Sequence, residues 1–230
     1  MKDSNANLNS RRSIITGLGV AIAGTAAVAP MAVNAQGRNT NFKPARHNAD
    51  AWMDDLPGNH RIFIDSSTGL GGAESLLYAA NLNNATNTAY EGEPASLAMI
   101  ICLRHFSTPF AFNNDMWEKY SEVFYSATKI AHPDSEGAPF FNLMRASNFG
   151  FSLPNFGNTI DSVREMGVEI AICDAATQFL ATQIVPVTSQ SVNTVYEELK
   201  VNAVPGHFVS AGVMALTRAQ EYGYSLLYAG

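Results

Sequence analysis

Five short apolar segments that alternate with helix-like segments constrain the fold of this chain more than any other feature. The five segments cover residues 60–65, 96–103, 168–173, 207–211 and 224–228. Segment 96–103 (SLAMIICL) is almost continuously apolar, as expected for a strand that is covered on both faces. The alternation predicts an α/β fold: one three-layer domain around a five-stranded, mainly parallel sheet.

The segments between these strands carry helical patterns and one long irregular stretch. Apolar residues recur at helical spacing near residues 72–84, 113–129, 158–166, 175–181, 191–199 and 212–222. Residues 130–157 instead contain three prolines and three glycines. We interpret them as an irregular insertion, because loops of this length in compact domains are usually functional or flexible.

The first 35 residues resemble a twin-arginine signal peptide. Ser10, Arg11 and Arg12 precede a mildly apolar stretch, and small residues before Gln36 suit cleavage there. An uncut membrane anchor is the alternative, but its glycines and Pro30 make it a poor one. We therefore expect a protein exported in the folded state to the periplasm. Residues 36–59 form a lead-in segment, and residues 60–230 form the α/β domain.

The charge composition of the chain excludes some classes of binding partner. The chain has 14 basic and 20 acidic residues, a net charge of −6, without a basic run, which argues against nucleic acid and anionic lipid as partners. After the signal, no apolar run approaches the length of about eighteen residues that a membrane span needs. Because only 15% of the residues are charged, we expect extensive buried surface, including the interface of a homo-oligomer.

Ligands of parallel sheets sit outside the carboxyl ends of the strands, which makes Cys173 the first candidate. Cys173 ends the strand VEIAIC and precedes a predicted helix, whose free N–H groups favour a thiolate. Asp174 beside it opposes this, because a second negative charge disfavours a thiolate. The alternative is a small apolar residue that finishes a buried strand.

The segment GVEIAICDAATQ (167–178) resembles the cysteine segment of the DsrE/DsrF-like sulfur-relay family. The likeness extends weakly from about His60 to Gly230 and includes the closing helix and strand. It implies a DsrE-like domain with flavodoxin-like winding, in an exported subgroup of unestablished activity. It also implies that Cys173 carries sulfur as a persulfide, that a sulfur donor or small molecule is a partner, and that the protein forms compact oligomers.

Arg104 and His105 follow the second strand and are candidate binding residues. Arg104 is suited to bind an anion or to pair with a carboxylate, and His105 to act as a base, as a ligand or simply to brace the loop. His207, at the fourth strand, is placed on the same rim. Cysteine and histidine residues lack the spacing of zinc sites, so we predict no metal and no haem. Apart from a persulfide on Cys173, no cofactor is predicted.

The loop SSTGLGGAE (66–74) after the first strand supplies two further candidates, Ser67 and Gly69. It matches neither complete phosphate-binding glycine motif, and no lysine lies nearby. Its amides are suited to hold a small anion. The alternative is a tight turn from strand to helix that needs glycine at positive φ.

Two functions follow. The first is a thiol-based sulfur carrier or redox protein that uses Cys173. The second is a non-catalytic binding module, in which the strand ends and the insertion form a pocket or partner surface. We predict no disulfide between Cys102 and Cys173, because strands two apart in a sheet are separated by about 9.6 Å, too far for a bridge.

Overall fold

The five apolar segments form one parallel sheet. Its strands are β1 (His60–Ser66), β2 (Leu97–Leu103), β3 (Glu169–Cys173), β4 (His207–Val209) and β5 (Ser225–Ala229). Their order across the sheet is β4-β3-β2-β1-β5, and every neighbouring pair is parallel. The predicted α/β fold with five strands is confirmed, and the sheet is parallel throughout.

This computed structural model describes residues 43–90 and 96–230. The predicted signal peptide at residues 1–35 and the start of the lead-in lie outside the described residues. Within the described part of the chain, no helix combines the length and apolar character needed to cross a bilayer.

Seven α-helices of the described residues surround the sheet. They are α1 (Trp52–Asp55), α2 (Gly69–Ala89), α3 (Asn114–Thr128), α4 (Ile160–Glu165), α5 (Asp174–Ile184), α6 (Val192–Val201) and α7 (Gly212–Glu221). Several begin at side-chain caps: Thr68 accepts a hydrogen bond from the Gly71 amide, and Asn113 accepts one from the Met116 amide. A 3-10 helix, His105–Ala111, follows β2 directly.

Alternate residues of the strands point to opposite faces of the sheet and belong to two separate hydrophobic cores. The sheet is therefore the middle one of three layers. On one face, Ile64 and Ile101 pack with apolar residues of α2 to α6, including Phe124 and Leu180. On the other face, Phe63, Ile100 and Cys102 pack with α7 and with Met53 of α1. Three layers follow, although the second face is covered by much less helix than the first.

From Pro44 on, the lead-in segment belongs to the folded unit rather than preceding it. The compact unit that contains the sheet begins at Pro44 instead of residue 60. Met53 is fully buried, and the Tyr224 hydroxyl donates a 2.7 Å hydrogen bond to the Met53 carbonyl. The apolar residues Trp52 and Leu56 pack against the same core, so residues near 52–56 complete the thin face of the sheet.

Both cysteines are free thiols, and their geometry differs from the prediction. Cys102 pairs with Ala171 of β3, so Cys102 and Cys173 lie on neighbouring strands, on one face, two residues out of register. Standard strand spacings place their Cα atoms about 8 Å apart. This separation exceeds the limit of about 7 Å for a disulfide.

Candidate functional site

A cavity of about 660 Å³ opens at the carboxyl ends of the strands. We call it the rim cavity. Its lining comes from the residues after β2 (Arg104 to Phe106), from one side of α3, from one side of α5 along most of its length, and from the start of α7. Cys173, Arg104 and His105 all line it. The strand ends therefore bring together three of the six candidate residues.

Cys173 occupies a junction between two helix N-termini. It is the N-cap of α5, and its Sγ accepts hydrogen bonds from the amide of Ala176 at 3.4 Å and from that of Gly212 at 3.2 Å. Gly212 is the first residue of α7. The residue is only 6% exposed, but it lines the cavity. The sulfur is thus held by two amides and remains adjacent to open space.

The Asp174 carboxylate accepts two hydrogen bonds, one from α6 and one from within α5. Its Oδ1 accepts a 2.7 Å hydrogen bond from the Tyr196 hydroxyl, and its Oδ2 accepts a 2.8 Å hydrogen bond from Gln178. Asp174 is not among the residues that line the rim cavity. The carboxylate that follows the cysteine in sequence is therefore engaged outside the site.

Arg104 forms a bidentate ion pair with Asp65, the penultimate residue of β1. Nε and Nη2 donate to the two carboxylate oxygens at 2.6 and 2.7 Å, and the Asp65 side chain is 2% exposed. The hydrogen bonding of its guanidinium to the Asp65 carboxylate raises the pKa of Arg104 above its already high ordinary value. The guanidinium is therefore a permanent cation at a set position on the cavity wall.

The stem of Arg104 also packs against the start of α7. A Cβ on Gly212 would lie 2.6 Å from Arg104 Cβ and 2.7 Å from its Cδ. Glycine therefore lets α7 begin close enough to donate its first amide to Cys173 Sγ. Sequence reasoning missed Gly212, although its signal is visible: a glycine that opens a helix immediately after a strand.

His105 has left-handed backbone geometry at the cavity mouth. Its φ is +56°, a region that few non-glycine residues adopt. The exposed imidazole packs against the Phe106 ring at 4.0 Å, and the Phe106 amide donates to the Ser67 carbonyl. The imidazoles of His47 and His132 each accept a backbone N–H. The His105 imidazole has no hydrogen bond among the described residues, so it is available to a ligand at the mouth.

Ser67 and Gly69 do not line the cavity. The Ser67 hydroxyl hydrogen-bonds with the Tyr228 hydroxyl at 2.9 Å, while Gly69 lies against the backbone of Thr128. The glycines of this loop also differ from the expected turn, because none of Gly69, Gly71 and Gly72 has a positive φ. They allow close approach of other backbone and side-chain atoms instead.

His207 lies away from the predicted rim. It is the first residue of β4, level with Ala171 rather than with the end of β3. Its ring stacks on Trp52 with centroids 4.0 Å apart, and its Nε2 lies 3.7 Å from a Glu169 carboxylate oxygen. The predicted convergence of His207 with Cys173 and His105 is wrong, because the strand begins, rather than ends, at residue 207.

The cavity wall is the part of the site that sequence reasoning did not find. Val123 and Ala127 of α3 face Ala176, Phe179 and Leu180 of α5 across the opening. Residues 130–157, which were expected to help form the pocket, contribute none of its described lining. Within the described residues, no group of three or more His, Cys, Asp or Glu side chains is placed to hold a metal ion.

Comparison of the chain with protein-family models, with curated proteins and with solved structures found no match.

Proposed function

We propose that this protein is a thiol-dependent sulfur carrier of the DsrE-like type, exported to the periplasm, in which Cys173 is the nucleophile. One observation carries the proposal: the sulfur of Cys173 accepts two backbone N–H groups while it borders a cavity. Donors of this kind stabilise a thiolate, which is the reactive form of cysteine. The proposed export to the periplasm rests on the twin-arginine pattern at residues 1–35.

The transfer step needs no external oxidant. The Cys173 thiolate attacks the outer sulfur of a donor persulfide, R–S–SH, and a new sulfur–sulfur bond forms on the protein. The original bond of the donor breaks, and the released R–S⁻ takes the proton of the outer sulfur to leave as R–SH. Attack of an acceptor thiol on the Cys173 persulfide reverses these events and regenerates the thiolate.

The surroundings of the sulfur support this role. Arg104 lines the cavity, and its Nη1 has no hydrogen-bond partner among the described residues, so this charged donor can hold the anionic form of a persulfide. The Asp174 carboxylate is hydrogen-bonded to Tyr196 and Gln178 instead of standing in the cavity. The sequence suggested that the negative charge of Asp174 would disfavour a thiolate on Cys173, and these hydrogen bonds reduce that effect.

Iodoacetamide is expected to label Cys173 in the native protein at neutral pH at least about tenfold faster than Cys102. Cys102 is fully buried in the core between the sheet and α7. This burial raises the pKa of its thiol well above the ordinary value, and the negative charge of Asp65 raises it further. Cys102 therefore remains a neutral thiol without access to reagent. Intact mass after timed quenching measures the two rates.

Two single variants assign the modified residue. Cys102→Ser should keep the fast modification, and Cys173→Ser should lose it, while both should label fully at the remaining cysteine in urea. A wild-type protein in which Cys173 reacts only after denaturation would end the sulfur-carrier proposal. A Cys173 persulfide, detected as a gain of one sulfur after incubation with a low-molecular-weight persulfide, would support it directly.

We propose in addition that the protein is a homo-oligomer in which a second copy pairs along β5. This strand is an edge of the sheet, and Leu226 and Tyr228 on it are 44% and 53% exposed. Its sequence, SLLYA, contains neither charge nor proline, the usual protections of an open edge. Sedimentation velocity at micromolar concentration should show a dimer or larger, and Leu226→Lys should yield monomer. A wild-type monomer would contradict the pairing.

A further inference from the structure

The rim cavity is far larger than the transferred sulfur requires. Its volume of about 660 Å³ falls in the range of roughly 300–1,000 Å³ that is usual for sites of small organic molecules. The one or two sulfur atoms of a persulfide would leave most of it empty. The size of the cavity therefore indicates an organic body attached to the group that reaches Cys173.

The wall between α3 and α5 is mostly apolar, and its polar residues face solvent. Val123, Ala127, Ala176 and Leu180 line the cavity between the two helices. The polar lining residues Glu122, Ser126 and Gln183 are exposed to solvent. An apolar ligand body can therefore lie along this wall while the charged side chain of Glu122 keeps its contact with solvent.

The part of the cavity around Arg104 offers hydrogen-bond donors. Nε and Nη2 of Arg104 are occupied by Asp65, but Nη1 has no hydrogen-bond partner among the described residues. Arg104 is also one of the residues that line the cavity. The N-terminus of α7 begins beside it, since Gly212 contacts the stem of Arg104. Because Asp65 balances one positive charge, this part of the cavity selects an acceptor through directed N–H groups and the helix terminus.

We propose that the rim cavity binds an amphipathic organic acid, with its apolar body between α3 and α5 and its anionic head on Arg104. This inference deepens the proposed function and rests on it in one respect: the organic acid is the R group of the sulfur donor. Binding itself does not require the thiol. The site thereby prefers an organic persulfide to an inorganic polysulfide as the sulfur donor.

Two fluorescent probes that share one apolar body test the assignment. Anilinonaphthalene sulfonate carries an anionic head, and phenylnaphthylamine lacks it. Both should bind the native protein, and Arg104→Gln should weaken the sulfonate about tenfold while changing the uncharged probe less than about twofold. Because Arg104→Gln leaves Asp65 buried without its partner, the double variant Asp65→Asn with Arg104→Gln is measured beside it. Equal losses for the two probes would overturn the role of Arg104.

A competition on the unaltered protein gives the same answer without any variant. Decanoate and decyltrimethylammonium have equal chains and opposite head charges. Decanoate should displace bound phenylnaphthylamine at a concentration at least about tenfold lower. Equal potency, or a stronger cation, would contradict an acid-selective site. Absence of phenylnaphthylamine binding would contradict the apolar wall.

Matched substitutions locate the probes. Ala127→Phe fills the cavity from α3 and should weaken both probes, whereas Phe151→Ser removes an 86% exposed side chain outside the cavity lining and should leave both unchanged. The reverse result would place the probes on the surface instead. Binding with an unreactive Cys173 would refute sulfur transfer alone, and a reactive Cys173 without acid binding would refute this inference alone.

Discussion

Replacing Asp65 with alanine is expected to lower the free energy of unfolding by about 3 kcal/mol. Asp65 is 1% exposed and accepts both hydrogen bonds of the Arg104 guanidinium. Its removal leaves a mostly buried cation without a counterion. We expect a loss of stability at the low end of the range for broken buried ion pairs, because the Arg104 side chain is 18% exposed and retains some hydration. Urea denaturation measures the change.

The pair Arg145–Asp161 supplies the control. Its oxygen–nitrogen distance is 3.1 Å, but both side chains are substantially exposed, at 33% and 45%. Asp161→Ala should therefore cost less than about 1 kcal/mol. Joint replacement by Asp65→Leu and Arg104→Met should recover much of the loss caused by Asp65→Ala, since it leaves no unpaired charge. Similar losses for Asp65→Ala and Asp161→Ala would show that burial of the first pair contributes little.

Much of the fold could be predicted because most of the strands have a recognisable local sequence pattern. The apolar run 96–103 becomes β2, Leu97–Leu103, and the run before Cys173 becomes β3. The shortest strand was the least predictable. Residues 207–211 were expected to be a strand, but pairing with β3 ends at Val209, opposite Cys173. A three-residue edge strand carries too few residues to show a period.

Part of the site follows from topology alone. Parallel strands must end on the same side of a sheet, so Cys173 and the residues after β2 could be placed together from sequence. The partner of Arg104 could not, because it depends on register: Asp65 pairs with Cys102, two residues before Arg104. The apolar wall could not be predicted either, since it depends on how α3 and α5 pack rather than on either pattern by itself.

The loop after β1 shows a second limit of sequence reasoning. Clustered glycines suggest positive φ or an anion site, and both interpretations use the freedom of the glycine backbone. Here Gly69, Gly71 and Gly72 are helical residues of α2. What they provide is space: an added Cβ on each would come within 3 Å of another segment. Such neighbours come from distant parts of the chain and leave no local signal.

Gly69→Ala is expected to lower the free energy of unfolding by about 3 kcal/mol, the upper part of the usual range for overpacking. The added Cβ would lie 1.9 Å from the carbonyl oxygen of Thr128 and 2.6 Å from its carbonyl carbon. These atoms belong to the last turn of α3, so no side chain can rotate to relieve the contact. Thermal or urea unfolding measures the loss.

Gly137→Ala is the matched control, because the nearest atoms to its added Cβ lie 3.9 Å away and its φ is not positive. It should change stability by less than about 0.5 kcal/mol. Gly69→Ala should also weaken binding of anilinonaphthalene sulfonate, since Ala127, next to Thr128, lines the rim cavity. Equal unfolding midpoints for the two variants would mean that α3 shifts freely away from α2, and the cavity wall would then be adjustable instead of preformed.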